Sequence, residues 1–168
     1  MKELREKVDR LATALADLGI RKGDRIGLLL LNSPEFVISS FAAAKIGAVQ
    51  TPISPVYVSS EIKHQLQDSG AETIICQDIL YEGVVKTGIK PKHVILTNIS
   101  DSLPKLKKLM GKSILRGVYQ KMAAPAPEIY KEEGMHRLQD LIDKHPPRPP
   151  HVIIDPQEDL YTLPHTGG

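Results

Sequence analysis

The residues best suited to chemistry stand at the carboxyl-terminal end, where Thr166-Gly167-Gly168 follow a short apolar run, Leu160 to Leu163. Glycines let backbone N–H groups close around phosphate oxygens, and a threonine hydroxyl adds a further donor, so these types in this order open a glycine-rich phosphate loop. Taken alone, the same three residues also fit an unstructured tail. A complete phosphate loop carries a lysine, and none follows here. The six histidines do not form a ligand set: His145 and His151 flank a proline run, and no Cys/His spacing of a zinc site occurs, so no metal site is expected. There is no Gly-x-Ser-x-Gly nucleophile elbow. Asp155, Glu158 and Asp159 read as solvated charges, and Cys76, in the apolar run TIIC, as a buried small hydrophobe. No catalytic residue is expected within the chain.

A second candidate is electrostatic. Between Leu103 and Met122, Leu103, Leu106, Met110, Ile114 and Val118 share a helical face, with Lys105, Lys112 and Arg116 roughly opposite. This stretch holds six basic residues and no acidic one. One reading is a surface helix with a solvated basic side. The other is an interfacial helix that touches anionic lipid through Lys105, Lys112 and Arg116.

The bulk numbers exclude several classes. A net charge of +2 argues against nucleic acid as a main partner, since nucleic-acid-binding proteins show a strong basic excess. A single cysteine excludes an internal disulfide framework. No apolar run approaches the roughly 20 residues of a membrane-spanning helix. Charged residues follow Met1 at once, without the apolar core of a signal peptide, so the expected compartment is the cytoplasm, with a peripheral membrane contact as the variant. Aromatic residues make up 4% and there is no Trp, so the core must be aliphatic.

The elements that position these residues follow from periodicity. Glu3 to Leu18 paints one helical face and ends at Gly19. RIGLLLL, bounded by turns, reads as a buried strand. Ser33 is expected to cap a second helix with Pro34 in its first turn, running to Gly47. AVQTPI is a strand, Ser59 or Ser60 opens a helix ending at Ser69-Gly70, and AETIIC and HVILTN are further strands. MHRLQDLIDKH is predicted as a short helix with Leu138, Leu141 and Ile142 inward. Pro146 to Pro150 forms a stiff spacer. Strands alternating with helices imply right-handed crossovers and an α/β fold with a mainly parallel sheet flanked by helices. Residues 1–100 are expected to form this unit, 101–145 a basic amphipathic helical insert, and 146–168 a proline-rich linker and strand leading into the loop.

The run DRIGLLLLNSPEFVISSFAAAKIGAVQTPISPVYVSSEIKHQLQDSGAETIIC resembles the N-terminal region of the acyl-adenylate-forming enzymes, which include acyl-CoA synthetases, firefly luciferase and 4-coumarate-CoA ligase. The resemblance is dense from Leu4 to Cys76, weakens in the middle and returns at EDLYTLPHTGG. Thr166, Gly167 and Gly168 match the first Thr-Gly-Gly of the family's phosphate loop, and His165 stands where tyrosine is common. The rest of the loop is absent. The basic segment is similar to one in long-chain fatty-acyl-CoA ligases. The resemblance implies a parent enzyme that uses ATP, Mg2+ and CoA to convert a fatty acid first to acyl-AMP and pyrophosphate, then to acyl-CoA and AMP. It implies that this chain is an N-terminal fragment, inactive alone and binding no cofactor. Two alternatives remain: a naturally short partner- or lipid-binding module, and a ligase for acetate or aryl acids. Apolar surface left uncovered could make the chain a homodimer.

Overall fold

The computed structural model describes residues 2–98 and 127–165. Lys105, Lys112 and Arg116 lie outside these, as do Thr166, Gly167 and Gly168. Four strands alternate with helices as the periodicity requires: α1 (Lys2–Asp17), β1 (Arg25–Leu29), α2 (Pro34–Lys45), β2 (Val49–Pro52), α3 (Ser59–Ser69), β3 (Thr73–Gln77), α4 (Tyr81–Val85) and β4 (His93–Thr97). After a 3-10 turn at Pro127–Lys131 come β5 (Met135–Arg137) and α5 (Leu138–Lys144). The sheet order is β2-β1-β3-β4-β5, and every neighbouring pair is parallel.

Side chains alternate across the strands and so feed two apolar layers. Ile26 and Leu28 of β1, Ile75 of β3 and Ile95 of β4 face α1, α2 and α5. Leu29, Ile74, Cys76, Val94 and Leu96 face α3 and α4. In the first layer α1 lies against both α2 and α5. Its residues Leu11 and Leu15 are wholly buried, each worth about 1.5–3 kcal/mol relative to exposure. Leu4, expected on the same face, is 37% exposed in the first turn of α1. In the second layer Gly27 lets α3 approach: a Cβ there would stand 3.2 Å from Leu66 Cδ2.

Two local expectations need correction. Ser33 is the residue before α2, but its side chain makes no capping hydrogen bond. Pro34 and Glu35 supply the start of that helix, one by its fixed φ and one by its charge. The segment predicted as a helix from Met135 to His145 is a strand for its first three residues, and only Leu138–Lys144 is helical. Leu138, Leu141 and Ile142 are buried as expected.

Candidate functional site

The polar groups that could take part in chemistry gather in two places. One is where the chain passes Leu160 to His165. Tyr161 to Leu163 runs along the outer edge of β2 in the same direction, with Thr162 opposite Gln50. The Gln50 N–H donates to the Tyr161 carbonyl (3.2 Å) and the Leu163 N–H to the Gln50 carbonyl (2.8 Å). The Thr51 hydroxyl donates to the Leu163 carbonyl at 2.8 Å. The Tyr161 hydroxyl lies 3.0 Å from Ser40 Oγ, which ties the segment to α2. Beyond Pro164 the His165 ring lies against α3. Its Nε2 is 3.0 Å from Asp68 Oδ2, and its ring meets His64 edge-on with centroids 6.5 Å apart. Its other nitrogen, Nδ1, is buried and has no hydrogen-bond partner. The three residues that follow His165 in sequence are Thr166, Gly167 and Gly168.

The approach to this segment is braced by residues that read as solvated charges in the sequence. Lys22 Nζ lies 2.5 Å from Asp159 Oδ2 and donates to the Ile153 carbonyl at 2.9 Å. The hydrogen bond from Lys22 and one from the Asp155 N–H hold the Asp159 carboxyl below the usual carboxylate range. Asp159 is therefore a structural anchor, and only Glu158 keeps its reading as a charge without a role in the fold. Upstream, Arg10 Nη1 donates to the His145 carbonyl at 2.8 Å and the Arg148 N–H to Thr13 Oγ1 at 3.2 Å, so the proline run is strapped over α1.

The second place is the carboxyl end of the sheet, where ligands of open parallel sheets bind beside the point at which strand order reverses. That point lies between β1 and β3. Asp78 follows β3 and Asn98 follows β4; Asn98 Nδ2 donates to Asp78 Oδ2. Gln77 Nε2 donates to the Thr97 carbonyl at 3.3 Å. Ser33 Oγ, Gln77 Oε1 and Thr97 Oγ1 are buried with no partner. Thr97 lines a hollow of about 170 Å3 together with Lys7, Glu35 and Gln139. Ser33 is expected from the sequence only as a helix cap, and Gln77, Asp78, Thr97 and Asn98 are not among the expected site residues. Their signal is a polar pair closing each buried apolar run: Asn32-Ser33, Gln77-Asp78 and Thr97-Asn98.

Other groups do not join either place. Cys76 is fully buried, and burial pushes its thiol far above the ordinary range. His93 and His136 face each other on β4 and β5, Nδ1 to Nε2 at 3.3 Å, away from His165. His145 caps α5, with Nδ1 2.7 Å from the Leu141 carbonyl. Among the described residues no group of three or more His, Cys, Asp or Glu could hold a metal ion, and no helix is long and apolar enough to cross a membrane.

Comparison with known proteins adds independent findings. The family model described as "AMP-binding enzyme" matches residues 1–168. A long-chain-fatty-acid–CoA ligase of Bacillus subtilis is 28% identical over 162 residues, covering 95% of this chain and 28% of that protein. 4-Coumarate–CoA ligase 3 of Arabidopsis thaliana is 54% identical over 66 residues, 39% of this chain and 12% of that protein. Among solved structures, a long-chain-fatty-acid–CoA ligase from Archaeoglobus fulgidus superimposes with a TM-score of 0.72 at 24% identity, over 99% of this chain and 27% of that one. The sheet and its flanking helices are thus the fold of that enzyme's corresponding part. The chain spans just over a quarter of the length of the fatty-acid ligase it matches from end to end, 28%.

Proposed function

The chain belongs to the AMP-binding enzyme family, and from that premise we propose that it is the N-terminal part of a fatty acid–CoA ligase. The reaction is acyl-adenylate formation: a carboxylate attacks the α-phosphate of ATP, pyrophosphate leaves, and the thiol of CoA then displaces AMP. The observation that carries the reading is the match to a long-chain-fatty-acid–CoA ligase over 95% of this chain. The edge segment supports it. Three hydrogen bonds with Gln50 and Thr51 hold Tyr161 and Leu163 at the β2 edge, shortly before Thr166-Gly167-Gly168 in sequence, the residues that on this reading cradle ATP phosphates. ATP with Mg2+ supplies the activated phosphate, and CoA the thiol.

A second reading, a ligase for aryl acids, is favoured by the 54% identity to 4-coumarate–CoA ligase 3 over 66 residues. One substrate panel separates the two. A chain extended to the family's full length is given palmitate, 4-coumarate and acetate in turn, with acid-dependent ATP–pyrophosphate exchange as the readout. Exchange with palmitate alone supports the fatty-acid reading, and exchange with 4-coumarate alone replaces it. The 168-residue chain is expected to show no exchange, because the partial loop cannot surround a triphosphate. Acid-dependent exchange by that chain would overturn the assignment of the chemistry to the longer protein.

A further inference from the structure

One strand ends and two helices begin at the hollow that Thr97 lines. β4 stops at Thr97, α2 starts at Pro34-Glu35 and α5 at Leu138-Gln139, and all of these border the same space of about 170 Å3. Thr97 lies two residues beyond Ile95, so it faces α1, α2 and α5 as Ile95 does. It is 1% exposed, and its Oγ1 is buried without a hydrogen-bond partner. Glu35 is 7% exposed, and among the described residues its carboxylate has neither a hydrogen bond nor an ion pair. Lys7, the cation at the rim, is paired with Glu3 at 2.9 Å instead. Gln139 donates Nε2 to Asp143 at 2.8 Å, which leaves its Oε1 as a further acceptor. The other walls, Ile38, Leu138 and Ile142, are apolar and buried. A carboxylate and a hydroxyl taken out of water in such a place are costly unless a donor meets them.

We propose that this hollow is a binding site for a small primary aliphatic amine in its ammonium form. The Glu35 carboxylate, Thr97 Oγ1 and Gln139 Oε1 are three acceptors, and an ammonium brings three N–H donors and no acceptor of its own. The apolar walls take the aliphatic stem. At about 30 Å3 for each water, the space equals about five or six waters, so the stem is limited to a few carbons. A single carboxylate among aliphatic side chains suits an amine better than a bare calcium or magnesium ion, which takes about six or more oxygens. A carboxylate ligand is repelled by Glu35, so the acid of the ligase reading does not belong here, and the proposal stands independently of that reading.

The test follows amide chemical shifts of the nitrogen-15-labelled 168-residue chain near neutral pH. It is titrated with n-butylammonium, n-butanol and n-butyrate in turn, with sodium chloride as the salt control. n-Butylammonium is expected to move the Ile38, Thr97 and Gln139 signals saturably. The signal of Gly19, at the amino end of the sheet, is expected to stay in place. n-Butanol should bind at least about tenfold more weakly, and n-butyrate should move nothing. Glu35→Gln, which keeps the size and removes the charge, should weaken n-butylammonium about tenfold and leave n-butanol as it was. No saturable movement with n-butylammonium, equal affinity for n-butanol, or an unchanged affinity in Glu35→Gln would overturn the proposal. Should Glu35→Gln fail to fold, Thr97→Val takes its place: weaker n-butylammonium binding supports the site, and unchanged binding overturns it.

Discussion

At the residue scale, two groups report on the fold through their ionisation. His93 and His136 sit side by side on the β4–β5 pair, with ring centroids 5.4 Å apart. Burial, then the charge of Lys92, holds His93 below the usual imidazole range, with the pull of the Leu18 carbonyl on a ring proton working the other way. Burial, then His93 itself, does the same for His136. Both shifts oppose protonation in the folded state, so the unfolded chain binds the protons more readily. The stability from keeping both rings neutral is complete above the ordinary imidazole value of about 6.5 and is lost as pH falls below it. Thermal melts should be level above neutrality and drop as pH falls below about 6.5, with a shallower drop for His136→Gln. A His136→Gln profile that overlays the parent would remove the pair as the cause. The second reporter is Cys76, whose thiol is buried and pushed far up in pKa. A maleimide or iodoacetamide at pH 8 should leave it unmodified in the native chain and label it at the rate of unfolding. Rapid labelling without denaturant would mean that β3 opens locally.

At the element scale, the parts with a strong period were legible and the short ones were not. RIGLLLL, TIIC and HVIL are buried on both faces, and each run became a parallel strand. β5 is three residues long and passes directly into α5, so no alternation could show, and its Met135 reads equally well as part of the helical face. What makes it a strand is tertiary: its register with Val94, Ile95 and Leu96 of β4. That register depends on Gly134. Its φ is +79°, and a Cβ there would stand 2.5 Å from the Lys92 carbonyl oxygen. Its own carbonyl accepts the Val94 N–H at 2.8 Å. Gly134→Ala should therefore cost about 2–3 kcal/mol, combining a left-handed alanine with a backbone clash. Gly88→Ala is the control, because Gly88 has φ +74° and nothing within 4 Å of an added Cβ. It should cost only about 1 kcal/mol. Urea unfolding of both variants measures the difference; equal midpoints would show that the Lys92 carbonyl gives way.

At the scale of the whole molecule, the candidate site was legible only as its sequence motif. Thr-Gly-Gly after an apolar run could be read; the contacts that hold the chain from Tyr161 to His165 could not, because Gln50, Ser40 and Asp68 come from three distant elements. The same edge carries apolar side chains that no described element covers. Phe41 is 53% exposed on α2, next to the Ser40 that holds Tyr161, and Leu160 and Tyr161 are also exposed. Large apolar side chains left exposed on adjoining segments favour association with another apolar surface. Studied alone, the chain should use that face on itself. Sedimentation equilibrium is expected to show concentration-dependent self-association that Phe41→Glu abolishes, since a carboxylate in a face-to-face contact would be buried without a partner. The thermal midpoint should hardly change, because Phe41 contributes little to either apolar layer. Self-association that survives Phe41→Glu would move the contact elsewhere, and a monomer at every concentration would overturn the expectation.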